Sequence, residues 1–92
     1  MITEWEERCL KEVREYNMGE DTPGILKDFV EASGESYKMF SVASNKLAEK
    51  GLMKRMNVSA NSVALALTEK GHKFLDLYTN LENMIEDDQV QE

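Results

Sequence analysis

A single cysteine and a single histidine in 92 residues leave little material for metal binding or covalent chemistry. Cys9 has no partner for an intrachain disulfide, so it is read either as a small buried residue on the first helix or as a link between two subunits. A chain without a disulfide framework fits a reducing compartment, and a cytoplasmic location is expected. With only His72 and Cys9 available, zinc-type ligand spacing is missing and no nucleophile stands beside a base. Glu69 and His72, three apart, fit an exposed pair at a helix start better than a catalytic dyad. Gly19 and Gly24 flank Glu20 and Asp21, not the lysine of a phosphate-binding loop. Catalysis, a bound metal, a cofactor and a small-molecule ligand are therefore not expected. Apolar runs stay at a few residues, far short of the roughly 20 that cross a bilayer. Glu4, Glu6 and Glu7 stand where a secretory signal needs basic and apolar residues, so neither export nor a membrane partner is expected.

What remains is a chain of ordinary globular composition, without repeats or low-complexity tracts, long enough for one domain over residues 1–92 with a modest core. Its organising stretch is 36–71, SYKMFSVASNKLAEKGLMKRMNVSANSVALALTEKG. The spacing predicts an amphipathic helix over Ser36–Lys50, closed at Gly51 by a residue that tolerates the left-handed conformation. Two alternating runs, Leu52–Val58 and Val63–Leu67, follow around the turn Ser59 to Ser62 and predict a two-stranded hairpin. Thr68 caps a last helix over Thr68–Glu86, and residues 87–92 read as a frayed acidic tail.

Upstream, Thr3-Glu4-Trp5-Glu6 fits a capping box and opens a helix over Thr3–Asn17, with Trp5, Cys9, Leu10, Val13 and Tyr16 on one face and Gly19 as its stop. Asp21-Thr22-Pro23 is a second start signal, with proline at the first helical position of a helix over Pro23–Ser33. Gly34 supplies the tight turn to Ser36, whose hydroxyl caps the third helix. The expected fold is α+β: three N-terminal helices containing a helix-turn-helix, a two-stranded hairpin and a long C-terminal helix.

Net charge is −7, yet its distribution is uneven. Between Ser36 and Lys73 there are seven basic residues against two acidic ones, while the rest of the chain holds four basic and 16 acidic. Because a field acts locally, within roughly 8 Å at physiological salt, a positive face on an acidic body is compatible with DNA; a solvated lysine face is the alternative. On the third helix Phe40, Ala43 and Leu47 fall inward, while Tyr37, Lys38, Ser41, Val42 and Asn45 fall mainly outward and, with Ser36 at the helix start, are the expected DNA-binding residues. Lys and Asn can read base edges, Ser and Tyr can bond phosphates, and Val can touch a thymine methyl. Lys46, Lys54 and Arg55 are expected to hold phosphates. On the last helix Phe74, Leu77, Tyr78, Leu81, Met84 and Ile85 form a stripe near heptad spacing, too long for so small a core. Residues 72–86 are therefore expected to dimerise, with the fold-back of this helix over Trp5 and Leu10 as the alternative.

Asn45-Lys46-Leu47-Ala48-Glu49-Lys50-Gly51-Leu52 and Leu65-Ala66-Leu67-Thr68-Glu69-Lys70-Gly71, a hairpin apart, give the chain a resemblance to the winged helix-turn-helix transcriptional regulators. It looks most like the small archaeal and archaeal-virus members. The resemblance spans roughly residues 5 to 86. It implies a homodimer that binds double-stranded DNA, commonly joined through its terminal helices. A winged-helix module for protein contacts, using the acidic first two helices, is the alternative function.

Overall fold

The computed structural model describes residues 2–16 and 23–91, with side chains up to residue 85. Helix α1 spans Glu4–Tyr16, strand β1 Gly24–Ile25, helix α2 Leu26–Ser33, helix α3 Tyr37–Glu49, strand β2 Met53–Ser59, strand β3 Ser62–Leu67 and helix α4 Glu69–Gln91. Helices and sheet enclose one core of Cys9, Leu10, Val13, Leu26, Phe29, Phe40, Ala43, Leu47, Leu52, Met53, Leu65, Leu67 and Leu75. The winged-helix α+β fold expected from the sequence is the observed one.

Three details differ. Gly24 and Ile25 are extended rather than helical, and pair antiparallel with Leu65 and Ala64. The sheet therefore has three strands in the order β1-β3-β2, not two, and Pro23 precedes a strand instead of opening a helix. Strand β3, bonded on both sides, buries both faces: Leu65 and Leu67 toward the core, Ala64 and Ala66 on the reverse. The hairpin turn is also tighter, because Ser59 pairs with Ser62 across Ala60-Asn61 and an irregularity between Asn57 and Ser59 absorbs Val58. Thirdly, α4 runs past Glu86 to Gln91. The expected helix end at Asn17, the stop at Gly19 and the cap at Asp21-Thr22 lie outside the described residues.

Thr3 caps α1 as expected, its Oγ1 accepting from the Glu6 amide at 3.1 Å. The reciprocal half of the capping box is redirected: Glu6, buried, turns its carboxylate to Lys50 Nζ at 2.6 Å. That pair ties the start of α1 to the end of α3. Helix α2 ends at Gly34 with φ of 72°, whose amide donates to Val30 O, as the turn to Ser36 requires.

Candidate nucleic-acid interface

Helix α3 is fixed at both ends by its own sequence. Ser36 Oγ accepts from the Met39 amide at 3.3 Å, so its hydroxyl is engaged as a cap. At the other end Gly51 takes φ of 76°, its amide bonds Ala48 O, and the Leu52 amide reaches back to Leu47 O, which closes the helix in a Schellman motif. Phe40, Ala43 and Leu47 point into the core as expected, and Ser44 joins them in full burial.

The turn after α3 is clamped by α4. Thr68 Oγ1 donates to Gly51 O at 2.7 Å, and the Thr68 amide donates to Leu52 O at 3.2 Å. The same hydroxyl accepts from the Gly71 amide at 2.9 Å, which makes it the cap of α4. Gly71 permits this approach, since a Cβ at that position would stand 2.0 Å from Leu52 O. The cap at Thr68 is legible in the sequence, whereas the need for glycine at 71 arises from its contact with Leu52, a residue distant in the chain.

The outward face of α3 carries Tyr37 and Val42, each 46% exposed, with exposed Lys38, Asn45 and Lys46. Tyr37, Lys38, Val42 and Asn45 are the residues expected to face outward, and Lys46 is one expected to hold phosphate. Val42 and Lys46 also border a shallow groove of about 200 Å³ with Trp5 and Met39. Ser41 is half-buried at the edge of this face. Lys54 and Arg55, expected together on phosphates, are separated by strand alternation. Arg55 sits opposite Leu65 on the core side of the sheet, and Lys54 opposite Ala66 on the reverse. There Lys54 lines a cleft of about 590 Å³ with Met56, His72, Lys73 and Asp76. Arg55 instead reaches α3: its Nη1 donates to Ser44 Oγ at 2.5 Å. A freely projecting phosphate clamp at Arg55 is thus not what the geometry offers.

Charge is partitioned by element. The cations of α1 are paired, Arg8 with Glu4 and Glu35, Lys11 with Glu7 and Glu82, and Arg14 with Asp76; on α4 Lys73 pairs with Glu69, while Lys70 donates to Lys50 O instead. Among the described residues, Lys27, Lys38, Lys46, Lys54, Arg55 and Lys70 carry no ion pair. The Lys11 ammonium holds the Glu7 carboxyl below the usual carboxylate range, and Glu7 in turn raises Lys11. Cys9 is fully buried, and burial pushes its thiol up to about 12, which leaves the core reading and gives an intersubunit disulfide no exposed sulfur. No group of three or more His, Cys, Asp or Glu among the described residues is arranged to hold a metal ion. No described helix is long and apolar enough to cross a membrane.

The stripe on α4 divides. Phe74 packs against the core, and Tyr78 stacks on it at 6.1 Å, near enough to Glu7 for the carboxylate to raise the phenol's pKa. These two residues, expected at a dimer seam, are half-buried within their own subunit. Leu77, Leu81, Met84 and Ile85 are 66%, 55%, 62% and 59% exposed. Helix α4 meets α1 through the ion pairs Lys11–Glu82 and Arg14–Asp76, with Leu75 and Leu10 in the same core, while Trp5 stands edge-on to Phe40 of α3 at 6.2 Å. Leaving the body, it stretches the molecule to 53 Å against 26 and 23 Å.

No family model matches this sequence, and no curated protein does. Solved structures do. MepR, a transcription regulator of the Staphylococcus aureus multidrug efflux pump MepA, superposes with a TM-score of 0.78 at 19% identity over 98% of this chain. Its DNA complex matches at 0.74. RV1404 of Mycobacterium tuberculosis matches at 0.76 and 18% identity over 98% of this chain, and a Ralstonia eutropha JMP134 protein at 0.72 and 16% over 85%. This chain spans 64% of MepR, 59% of RV1404 and 98% of the Ralstonia protein. Nothing in these likenesses points to an archaeal or viral origin. What the comparisons establish is the fold, the winged helix that MepR also has.

Proposed function

We propose that this chain is a sequence-specific DNA-binding transcription regulator that acts as a homodimer. The observation that carries the reading is the charge distribution: both lysines of α3, Lys38 and Lys46, stand without carboxylate partners on the outward face, while every cation of α1 and, on α4, Lys73 are paired with carboxylates. Tyr37, Lys38, Val42 and Asn45 would enter the major groove, with Lys46, and Ser36 and Ser41 at the edge, toward the backbone. Likeness to a fold seen bound to DNA in MepR supports this assignment.

Dimerisation is supported by the exposed row Leu77, Leu81, Met84 and Ile85, which recurs at four, three and one residues. Burying each such side chain against a symmetry mate stabilises by about 1.5–3 kcal/mol. Two α3 helices so joined favour a pseudo-palindromic target with half-sites a whole number of helical turns apart.

Gel-shift titration on random duplex across salt concentrations tests the reading. Lys38→Ala with Lys46→Ala should weaken binding to every sequence and lower the salt slope by roughly two, about one unit for each lost phosphate contact. Asn45→Ala should erode preference among sequences instead. A protein that binds no duplex even at low salt would leave the protein-contact reading.

A further inference from the structure

We infer that Arg55 is a positioning residue of the DNA-reading face, one that orients α3 and the Ser41 hydroxyl rather than neutralising a phosphate. The inference rests on the DNA-binding reading above. Its basis is a four-bond cluster between β2 and α3. Arg55 Nη1 donates to Ser44 Oγ at 2.5 Å and to Ser41 O at 3.5 Å, while Nη2 donates to Ser41 Oγ at 3.5 Å. Ser44 Oγ closes the ring by donating to Ser41 O at 2.8 Å.

Each part of the cluster has a physical reason. Ser41 and Ser44 are three apart and so lie on one side of α3, the side that meets the strand. Arg55 reaches them because alternation places it on the core side of β2 with Met53, whereas Lys54 points to the reverse. Two donors of one planar fork meet acceptors on two residues, a geometry that a lysine ammonium on a flexible stem does not reproduce. Ser44 is fully buried and Ser41 only half-buried, so the cluster leads from the interior to the edge of the outward face. All of its hydrogen bonds go to neutral acceptors inside the protein, so its fork is occupied there, and its charge eases the ionisation of the buried Cys9 thiol slightly against the larger effect of burial. The hydroxyl of Ser41 is thereby held beside Val42 and Asn45, in register with the residues that would read bases.

The test compares a duplex enriched by the wild-type protein from a random pool with an unenriched random duplex, over a salt series. Arg55→Ala, Arg55→Lys and Ser44→Ala are checked for native circular dichroism and used well below their melting temperatures. Both Arg55 variants should lose roughly tenfold of the preference for the enriched duplex, with the salt slope unchanged. Ser44→Ala should shift preference in the same direction, and it carries the test alone if the Arg55 variants do not fold. A phosphate contact gives the opposite pattern: Arg55→Ala weakens both duplexes equally and lowers the slope by about 0.9, and lysine restores both. That pattern overturns the inference, as does a lowered melting temperature with preference intact in all three variants. Wild-type protein that binds no duplex removes the DNA reading itself, an outcome visible before any variant is compared.

Discussion

Replacing Gly71 by alanine sets two physical effects against each other with opposite signs. Alanine is a better helix former than glycine by about 1 kcal/mol, so on propensity alone the variant gains stability. In the fold, the added Cβ would stand 2.0 Å from Leu52 O. Restoring an ordinary contact of about 3.5 Å requires α4 to retreat by roughly 1.5 Å. That movement takes both Thr68 bonds to the α3–β2 turn, now 2.7 and 3.2 Å, out of range. Each contributes about 1 kcal/mol net, and loosened packing of Leu52 and Leu75 adds to the loss. The balance is a destabilisation of about 1–3 kcal/mol, which for a domain of this size lowers the melting temperature by roughly 5–20 °C. Thermal unfolding followed by circular dichroism measures it. Because Thr68→Ala removes part of the same clamp, its effect on the Gly71→Ala background should be smaller than alone. A Gly71→Ala protein that melts at or above wild type would refute the close-approach argument.

Leu81→Glu should convert a dimer of 10.5 kDa chains into monomer in sedimentation at micromolar concentration while leaving monomer stability within about 0.5 kcal/mol, since Leu81 is exposed in its own subunit. A wild-type protein that sediments as a monomer at every concentration would remove the dimer from the proposal. Cys9 should resist a thiol reagent in the native state and react on unfolding, because its thiol is buried and held near 12; fast native labelling contradicts the core assignment. Glu7 has a depressed folded pKa, so its stabilisation is present at neutral pH and is lost as pH falls through that lowered value. Glu7→Gln should therefore cost under about 1 kcal/mol at pH 7, discounted for the exposed Lys11, and progressively less as the pH is lowered into acid; a cost that does not change with pH would exclude the linkage. Lys54→Ala, on the sheet face away from α3, should lower the salt slope of DNA binding less than Lys46→Ala, which should lower it by about one unit.

Local signals determined the elements of this protein. Ser36, Gly51 and Thr68 act through neighbours within a few residues, and so helix, hairpin and helix over 36–71 were legible from spacing and caps alone. Of the residues that helical period placed outward, Tyr37, Lys38, Val42 and Asn45 are exposed, while Ser41 is half-buried because it lies on the side of α3 that meets Arg55. The separation of Lys54 from Arg55 was within reach of the same reasoning, since residues adjacent in a strand face opposite ways. Tertiary structure alone decided the rest. Two residues, Gly24 and Ile25, have no periodicity of their own and are extended because β3 presents a free edge. Glu6 abandons its local capping role for Lys50, a partner 44 residues away that no short-range pattern encodes. Whether Tyr78 faces its own core or a second subunit turned on where α4 crosses α1, a crossing at which Leu75 and Phe74 join the core and Lys11, Arg14, Asp76 and Glu82 meet from the two ends of the chain.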